Sequence, residues 1–303
     1  MLGGREKIGL PNIDWKTAAF GKGKYRRKTV GFGEFDKKTR SYSELEVYVR
    51  ELSIIEAGIG CAIWDAAIIL SRFIFDCQDA FGGKTVLELG SGVGLPGLTA
   101  AYFADRVVLT DYIPQLLDNL EYNVRLNSDV EEGDGGRLKS SKDISQNTQV
   151  SYLNWNDIYE LIGEAPPPKP DEDQPKEKKD YEELNDEQEE RYRQQMRTLE
   201  AADIIIGSEL TYIPESVHAL VRVLKKYLKD DGIFYEVLSD DRDGVSLFLE
   251  KIDEADFGIS IVKVPENYLG NYGTSQREET YKLYAFWKGK HRTVQPWPFL
   301  ERQ

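Results

Sequence analysis

Cysteine, histidine and methionine are scarce, two of each in 303 residues. Cys61 and Cys77 have no C-x-x-C spacing, so neither a disulfide framework nor a thiolate metal site is available to the chain. Two reduced, buried thiols in a cytosolic or nuclear protein are what this pattern leaves. His218 and His291 fall outside every motif, and no catalytic or metal role is assigned to either. No apolar run approaches the ~18 residues needed to span a bilayer. The opening MLGGREKIGLPNIDW lacks the apolar stretch of a signal peptide. The expectation is a soluble protein of the cytoplasm, with the nucleus also open to it, and no membrane contact. Positive charge is in deficit: 39 Lys and Arg stand against 53 Asp and Glu, a formal charge of −14. Such a surface repels nucleic acid unless a local basic patch reverses the field. No direct nucleic-acid contact is therefore expected, and the chain is read as a monomer.

What is present is enough apolar sequence, 40%, to bury a core. Residues 1–40 are set apart as a flexible, basic, Gly-rich arm carrying KGKYRRK at Lys22–Lys28. Residues 41–303 form the domain. Alternation over residues 29–35 and 45–54 predicts a β-hairpin. Ile63, Ala67, Leu70 and Ile74 recur at helical spacing over Ile63–Phe75. An α/β alternation follows, with strands at Thr85–Leu89, Val107–Thr110, Val150–Leu153, Asp203–Gly207 and Ile233–Leu238. Helices between them cover Leu95–Phe103, the face Ile113, Leu116, Leu117, Leu120 and Val124, and a segment opened by Pro214. Ile259–Val264 and Tyr281–Trp287 predict a closing antiparallel pair. The fold class expected is α/β: a Rossmann-like, doubly wound, mostly parallel seven-stranded sheet with an N-terminal hairpin and helix added. Two stretches interrupt the rhythm. Residues 128–148 are a polar loop insertion. Residues 163–200 are an acidic insertion whose first half is too polar to order, and whose second half has helix formers but no apolar stripe, so a solvated helix is expected there.

The sharpest motif is VLELGSGVGLPGLTAA, Val86–Ala101, where a strand ends and a helix begins. Gly90, Gly92 and Gly94 let the backbone turn tightly and let a ligand approach it. The helix behind them presents free N–H groups and the positive end of its dipole. Asp111, at the end of the next strand, is correctly spaced to bind the two hydroxyls of a ribose. Gly92-Val-Gly94-Leu-Pro-Gly97 also satisfies the dinucleotide pattern, but Glu88 within the strand favours S-adenosylmethionine over a nicotinamide. No obvious hydride-transfer His or Lys accompanies the loop.

In order along the chain, GIGCAIWDAAIILSRFI (Gly58–Ile74), VLELGSGVGLPG, LTDY (Leu109–Tyr112), LNW (Leu153–Trp155) and IIIGSELTY (Ile204–Tyr212) resemble the methyltransferase-like protein lysine methyltransferases. The resemblance spans roughly residues 45–287. It implies S-adenosylmethionine as cofactor. Trp64 would line its pocket, Gly90 and Gly92 would meet the methionine part, Asp111 would hold the ribose, Trp155 would pack on the adenine, and Ser208 would lie beside the cofactor, with Glu88 of the loop motif also counted among the cofactor-binding residues. Glu209 and Tyr212 fall on the family's Asp-x-x-Tyr motif, beside the transferable methyl, as the catalytic pair.

The departure is Glu209-Leu-Thr-Tyr212 in place of Asp-x-x-Tyr. Some lysine-modifying relatives carry Glu there, and so does the branch that methylates histidine, where the pattern resembles Ser-Glu-x-x-Tyr. A lysine must shed a proton before attack, and a carboxylate opposes that by favouring the ammonium. Glu209 is therefore expected to hold the amine by a charge-assisted hydrogen bond and accept its proton, with Tyr212 binding the amine or walling its channel. The expected activity is methylation of a lysine on a protein substrate. A basic translation or nucleic-acid-associated factor would suit the chain's charge. The alternatives are a protein histidine methyltransferase, a small-molecule methyltransferase, and a non-catalytic scaffold whose acidic insertion recruits basic partners. The tail VQPWPFLERQ argues for a protein-facing surface.

Overall fold

The computed structural model describes residues 26–37, 41–128, 142–167, 186–265, 268 and 280–298. In chain order these form β1 (Arg26–Phe32), β2 (Phe35–Asp36), β3 (Ser41–Tyr42), β4 (Leu45–Glu51), α1 (Ile54–Ala57), α2 (Asp65–Asp76), β5 (Thr85–Glu88), α3 (Leu95–Ala101), β6 (Arg106–Asp111), α4 (Pro114–Ser128), β7 (Thr148–Tyr152), α5 (Ile158–Ile162), α6 (Asp186–Thr198), β8 (Ala202–Ser208), α7 (Val217–Tyr227), β9 (Leu228–Ser239), α8 (Gly244–Glu254), β10 (Phe257–Lys263) and β11 (Tyr281–Lys288).

Seven strands make one sheet in the order β10-β11-β9-β8-β5-β6-β7. β7, β6, β5, β8 and β9 run parallel, and β11 enters antiparallel between β9 and β10. Val86 and Leu87 in β5 and the apolar run III in β8 suit central parallel strands covered on both faces. Helices α2, α3 and α4 pack in one row, and α5, α7 and α8 in another, with the sheet between them. β5 and β8 are neighbours although α3, β6, α4, β7, α5 and α6 separate them in the chain, so the winding reverses between them. The crevice outside the carboxyl ends of strands at such a reversal is where ligands bind in open α/β sheets.

β1 and β4 form the predicted hairpin, in the register Val30↔Val47 and Phe32↔Leu45. Its strand structure begins at Arg26, inside the stretch 1–40 set apart as an arm. Residues 1–25 lie outside the described residues. Val30, Phe32, Val47 and Val49 are buried against the α2–α3–α4 row, and Phe32 stacks on Phe75 at 4.8 Å between centroids. The other side of the docking is polar. Asn119, Asn123 and Asn127 recur at helical spacing on α4. Asn127 accepts from the Tyr48 N–H at 2.9 Å and donates to its carbonyl at 2.7 Å. Asn123 accepts from the Arg50 N–H at 2.8 Å, and Asn119 donates to the Arg50 carbonyl at 2.9 Å. The asparagines thus satisfy main-chain groups of β4 that a neighbouring strand would otherwise take.

Two expectations are corrected here. The second half of the 163–200 insertion is not a solvated helix. α6 buries Tyr192 and Met196, Tyr192 stacks on Tyr152 at 4.4 Å, and Tyr227 donates to the Met196 carbonyl at 2.9 Å. One aromatic and one thioether a turn apart dock a helix whose remaining positions are charged or polar. Residues 168–185 lie outside the described residues, as do 129–141 of the other insertion. The aromatic tail, in turn, is not a protein-facing surface at Trp297. That ring is 1% exposed, packs against Phe73 and Tyr235, and donates to Ser260 Oγ at 2.9 Å.

Candidate active site at the carboxyl edge of the sheet

The loop after β5 turns through three left-handed glycines, Gly90 at φ 56°, Gly92 at 53° and Gly94 at 85°. They serve different ends. Gly92 and Gly94 are buried, whereas Gly90 faces solvent. A Cβ on Gly92 would stand 2.9 Å from the Gly60 carbonyl oxygen, so this position is closed by packing against the segment before α2. A Cβ on Gly90 would meet Leu210 at 3.0 Å and the Trp155 ring at 3.6 Å. Gly90 is therefore the point where a ligand can lie on bare backbone, with Trp155 and Leu210 as its walls.

Asp111 ends β6 facing that loop and is 6% exposed. Its Oδ2 accepts from the Gly92 N–H at 3.0 Å, and its Oδ1 from the Tyr112 and Ile113 N–H groups at 2.7 and 3.3 Å. Burial raises its pKa, and these three donors oppose the rise. A carboxylate has about four acceptor sites, so one remains for a ligand hydroxyl. Glu88 sits deeper. It is 2% exposed, with Oε2 lacking a hydrogen-bond partner, and a Cβ on Gly97 would come 2.5 Å from that oxygen. Burial pushes Glu88 up to about 8, against the Ser91 hydroxyl and Gly97 amide beside it. Glu88 thus lies beneath the loop and packs against the start of α3.

Trp64 is the residue just before α2, rather than within a helix. It is half exposed, and its indole donates to the Ile59 carbonyl at 2.8 Å. Through Ile59 and Gly60 it borders the glycine loop. Ser208 is the last residue of β8, partly buried and paired with Val237.

Glu209, next in the chain, is one of two non-glycine residues at positive φ among the described residues, at 56°. Such backbone persists where surroundings over-determine it, and it concentrates at functional sites. Here the surroundings are the end of β9. The Glu209 N–H donates to the Val237 carbonyl at 2.9 Å, and the Ser239 N–H donates to Glu209 Oε1 at 2.6 Å. Arg242 Nε donates to Glu209 Oε2. Tyr212 stands 41% exposed at the edge, with burial and the nearby Asp111 carboxylate raising its pKa.

The structure therefore brings Gly90, Gly92, Asp111, Trp155 and Tyr212 to one edge, with Trp64 on its rim and Glu88 below. Ser208 and Glu209 enter from β8. Two side chains escaped the sequence reading. Arg242 pairs with Glu209. Glu236 is fully buried on β9 and accepts from the Leu210 N–H at 3.2 Å; burial and the nearby Glu209 hold its carboxyl well above the usual range. The signal for Arg242 was LSDDRDG, Leu238–Gly244, a charged turn at a strand end on the ligand-binding edge. Glu236 inside an apolar strand was visible only as an anomaly.

The sheet order, the single antiparallel strand and the glycine loop at the reversal define a seven-stranded Rossmann-like methyltransferase fold. The 16S rRNA N2 G1207 methyltransferase RsmC of T. thermophilus, solved with AdoMet and guanosine, shares that fold at a TM-score of 0.51 and 15% identity, over 87% of this chain and 50% of that one. Residues 46–165 match the model of a family described as lysine methyltransferase, as the motif resemblance implied. The zebrafish (Danio rerio) protein N-lysine methyltransferase METTL21A is 26% identical over 58% of this chain and 59% of its own. The mouse (Mus musculus) protein-lysine N-methyltransferase EEF2KMT is 28% identical over 68% of this chain and 52% of its own. The Schizosaccharomyces pombe protein N-terminal and lysine N-methyltransferase efm7 is 34% identical over 34% of this chain and 36% of its own. The chain thus spans between 36% and 59% of the length of these curated relatives.

Proposed function

We propose that this chain is an S-adenosylmethionine-dependent protein methyltransferase that modifies a lysine side chain. The observation that carries the reading is the meeting of two features at one sheet edge: bare backbone at Gly90 beside the buried Asp111 carboxylate, and the strained Glu209-Leu-Thr-Tyr212 turn. The match to the lysine methyltransferase family and the protein-directed names of the relatives support it.

The residues present fit the cofactor. Gly90 is a cradle that a Cβ would fill, Asp111 has an acceptor site to spare for a ribose hydroxyl, and Trp155 offers an aromatic wall. When bound, the cofactor supplies an electrophilic methyl on a sulfonium, which an amine lone pair can take in one displacement while the carbon–sulfur electron pair stays on sulfur. The chain's own residues supply alignment, which is worth ~7–11 kcal/mol in favourable systems. Glu209 accepts a hydrogen bond from the lysine nitrogen and receives the proton it sheds. Tyr212 lines the approach with its ring.

A protein rather than a small molecule as substrate agrees with the rim. Ile54, Ile55, Ile59, Trp64 and Ile213 are large apolar side chains left exposed around the mouth. Exposed apolar clusters of this kind mark macromolecular contacts. A basic partner, such as a translation or nucleic-acid-associated factor, suits the net charge of −14. We place the protein in the cytoplasm, with access to the nucleus, and read it as a monomer.

The test is Glu209→Ala. Methyl transfer from labelled S-adenosylmethionine to cell protein should vanish while S-adenosylhomocysteine affinity, measured by calorimetry, stays within about twofold, ~0.4 kcal/mol. Joint loss of both would make Glu209 a structural residue. Mass spectrometry of the labelled product decides between lysine and histidine.

A further inference from the structure

Glu209 in the proposed role has a drawback of sign. A lone carboxylate beside a lysine stabilises the ammonium, the form that cannot attack. Yet Glu209 is not alone. Its side chain is 11% exposed, and both oxygens are engaged by one short segment, Oε1 by the Ser239 N–H and Oε2 by Arg242 Nε. The main chain is tied to the same strand through Val237. Among the described residues, Arg242 is the cation paired with Glu209.

We propose that Arg242 is a positioning residue for the transfer. Its guanidinium pins the Glu209 carboxylate at the carboxyl end of β8 and offsets its charge. Glu209 can then accept a hydrogen bond from the lysine nitrogen without fixing it as ammonium. The clamp also holds the left-handed turn at φ 56° on which Leu210 and Tyr212 depend for their place. The chemistry of this inference rests on the methyltransferase reading; the clamp rests on geometry alone.

The other charged groups around the pair leave this role to Arg242. Glu236, from β9, is held above the carboxylate range by burial and so adds little negative charge beside Glu209. Asp241 and Tyr281 flank Arg242, and with Glu209 they favour its charged form. Asp240 is engaged by Lys282 at 2.6 Å. Asp111 faces the site from the opposite side, through Tyr212.

The test compares Arg242→Met and Arg242→Lys with the wild type in the full chain. Amide hydrogen exchange reads the clamp. In Arg242→Met, exchange at Ser239 and Glu209 should rise about tenfold or more, a ~1.4 kcal/mol loosening. Exchange at Gly92, held by Asp111, should stay as in the wild type. Arg242→Lys should recover most of the protection. Unchanged exchange at Ser239 in Arg242→Met overturns the proposal, because the turn then holds without the guanidinium. Transfer of labelled methyl to Nα-acetyl-lysine amide across a pH series reads the charge. The rising limb of the rate should move to higher pH in Arg242→Met and return toward the wild type in Arg242→Lys. A lower rate with an unmoved limb would mean a merely structural arginine and overturns the charge role. Calorimetry with S-adenosylhomocysteine separates the two readings. Wild type that does not bind it defeats the methyltransferase reading. Where the wild type gives no transfer to this probe, the exchange comparison alone decides on Arg242.

Discussion

The two lips of the crevice are built by opposite means. On the β5–β6 side the chain removes side chains: Gly90, Gly92 and Gly94 take left-handed backbone at no steric cost, and main-chain N–H groups of the loop and of Tyr112 and Ile113, just before α4, gather on Asp111. On the β8–β9 side it keeps a full-sized glutamate in that same backbone region and restrains it with Ser239, Arg242 and Glu236. A ligand that must lie against backbone needs the first design. A carboxylate held at one fixed place, as the proposed role of Glu209 requires, needs the second, and the positive φ there keeps a side chain where glycine would fold more easily.

This contrast can be broken experimentally. The largest effect is expected from Asp111→Ala. It removes the acceptor shared by Gly92, Tyr112 and Ile113 along with the proposed ribose ligand. Each buried N–H left unpaired costs about 1–3 kcal/mol, so the melting temperature should fall and calorimetry should detect no S-adenosylhomocysteine binding. Retained affinity would remove the cofactor from this lip.

Next in size is Glu88→Gln. The folded-state pKa of Glu88 lies at about 8, above its ordinary 4.5. Below pH 4.5 the proton is bound in both states and no penalty arises. Between the two values the unfolded chain loses the proton that the folded chain keeps, so stability falls as pH rises, by up to ~1.4 kcal/mol per unit. Urea denaturation across that window should show a decline in the wild type that Glu88→Gln flattens. Parallel curves would mean that Glu88 is ionised in the fold.

The smallest effect concerns the strained lip. Glu209→Gly should be more stable than Glu209→Ala by roughly 1 kcal/mol, because glycine takes positive φ freely. Both variants should be inactive. If alanine matches glycine in chemical denaturation, the backbone at this position carries no strain and the contrast between the lips dissolves.

The sheet and its loop were legible because their signals are local. Apolar strands, a glycine run at a strand end and an acid at the next strand end each sit within a few residues of sequence. The parts that stayed hidden depend on pairs distant in the chain. Arg242 acquires its meaning only when β9 lies beside β8. α6 read as solvated because, among the described residues, its burial rests on Tyr192 and Met196, too few for an apolar stripe. Trp297 read as a surface aromatic because the pocket that receives it is made of Phe73 from α2, Tyr235 from β9 and Ser260 from β10. Asn119, Asn123 and Asn127 share one helix face, but their role in replacing a missing strand shows only once β4 lies against α4.

Those asparagines make the hairpin a geared part. Each amide of Asn123 and Asn127 meshes with one residue of β4, on the same helix that starts just beyond Asp111. A slip by one residue would mismatch every tooth at once, so β4 cannot creep along α4. A force on the hairpin would instead pass into α4, whose first residue, Pro114, lies three positions beyond Asp111.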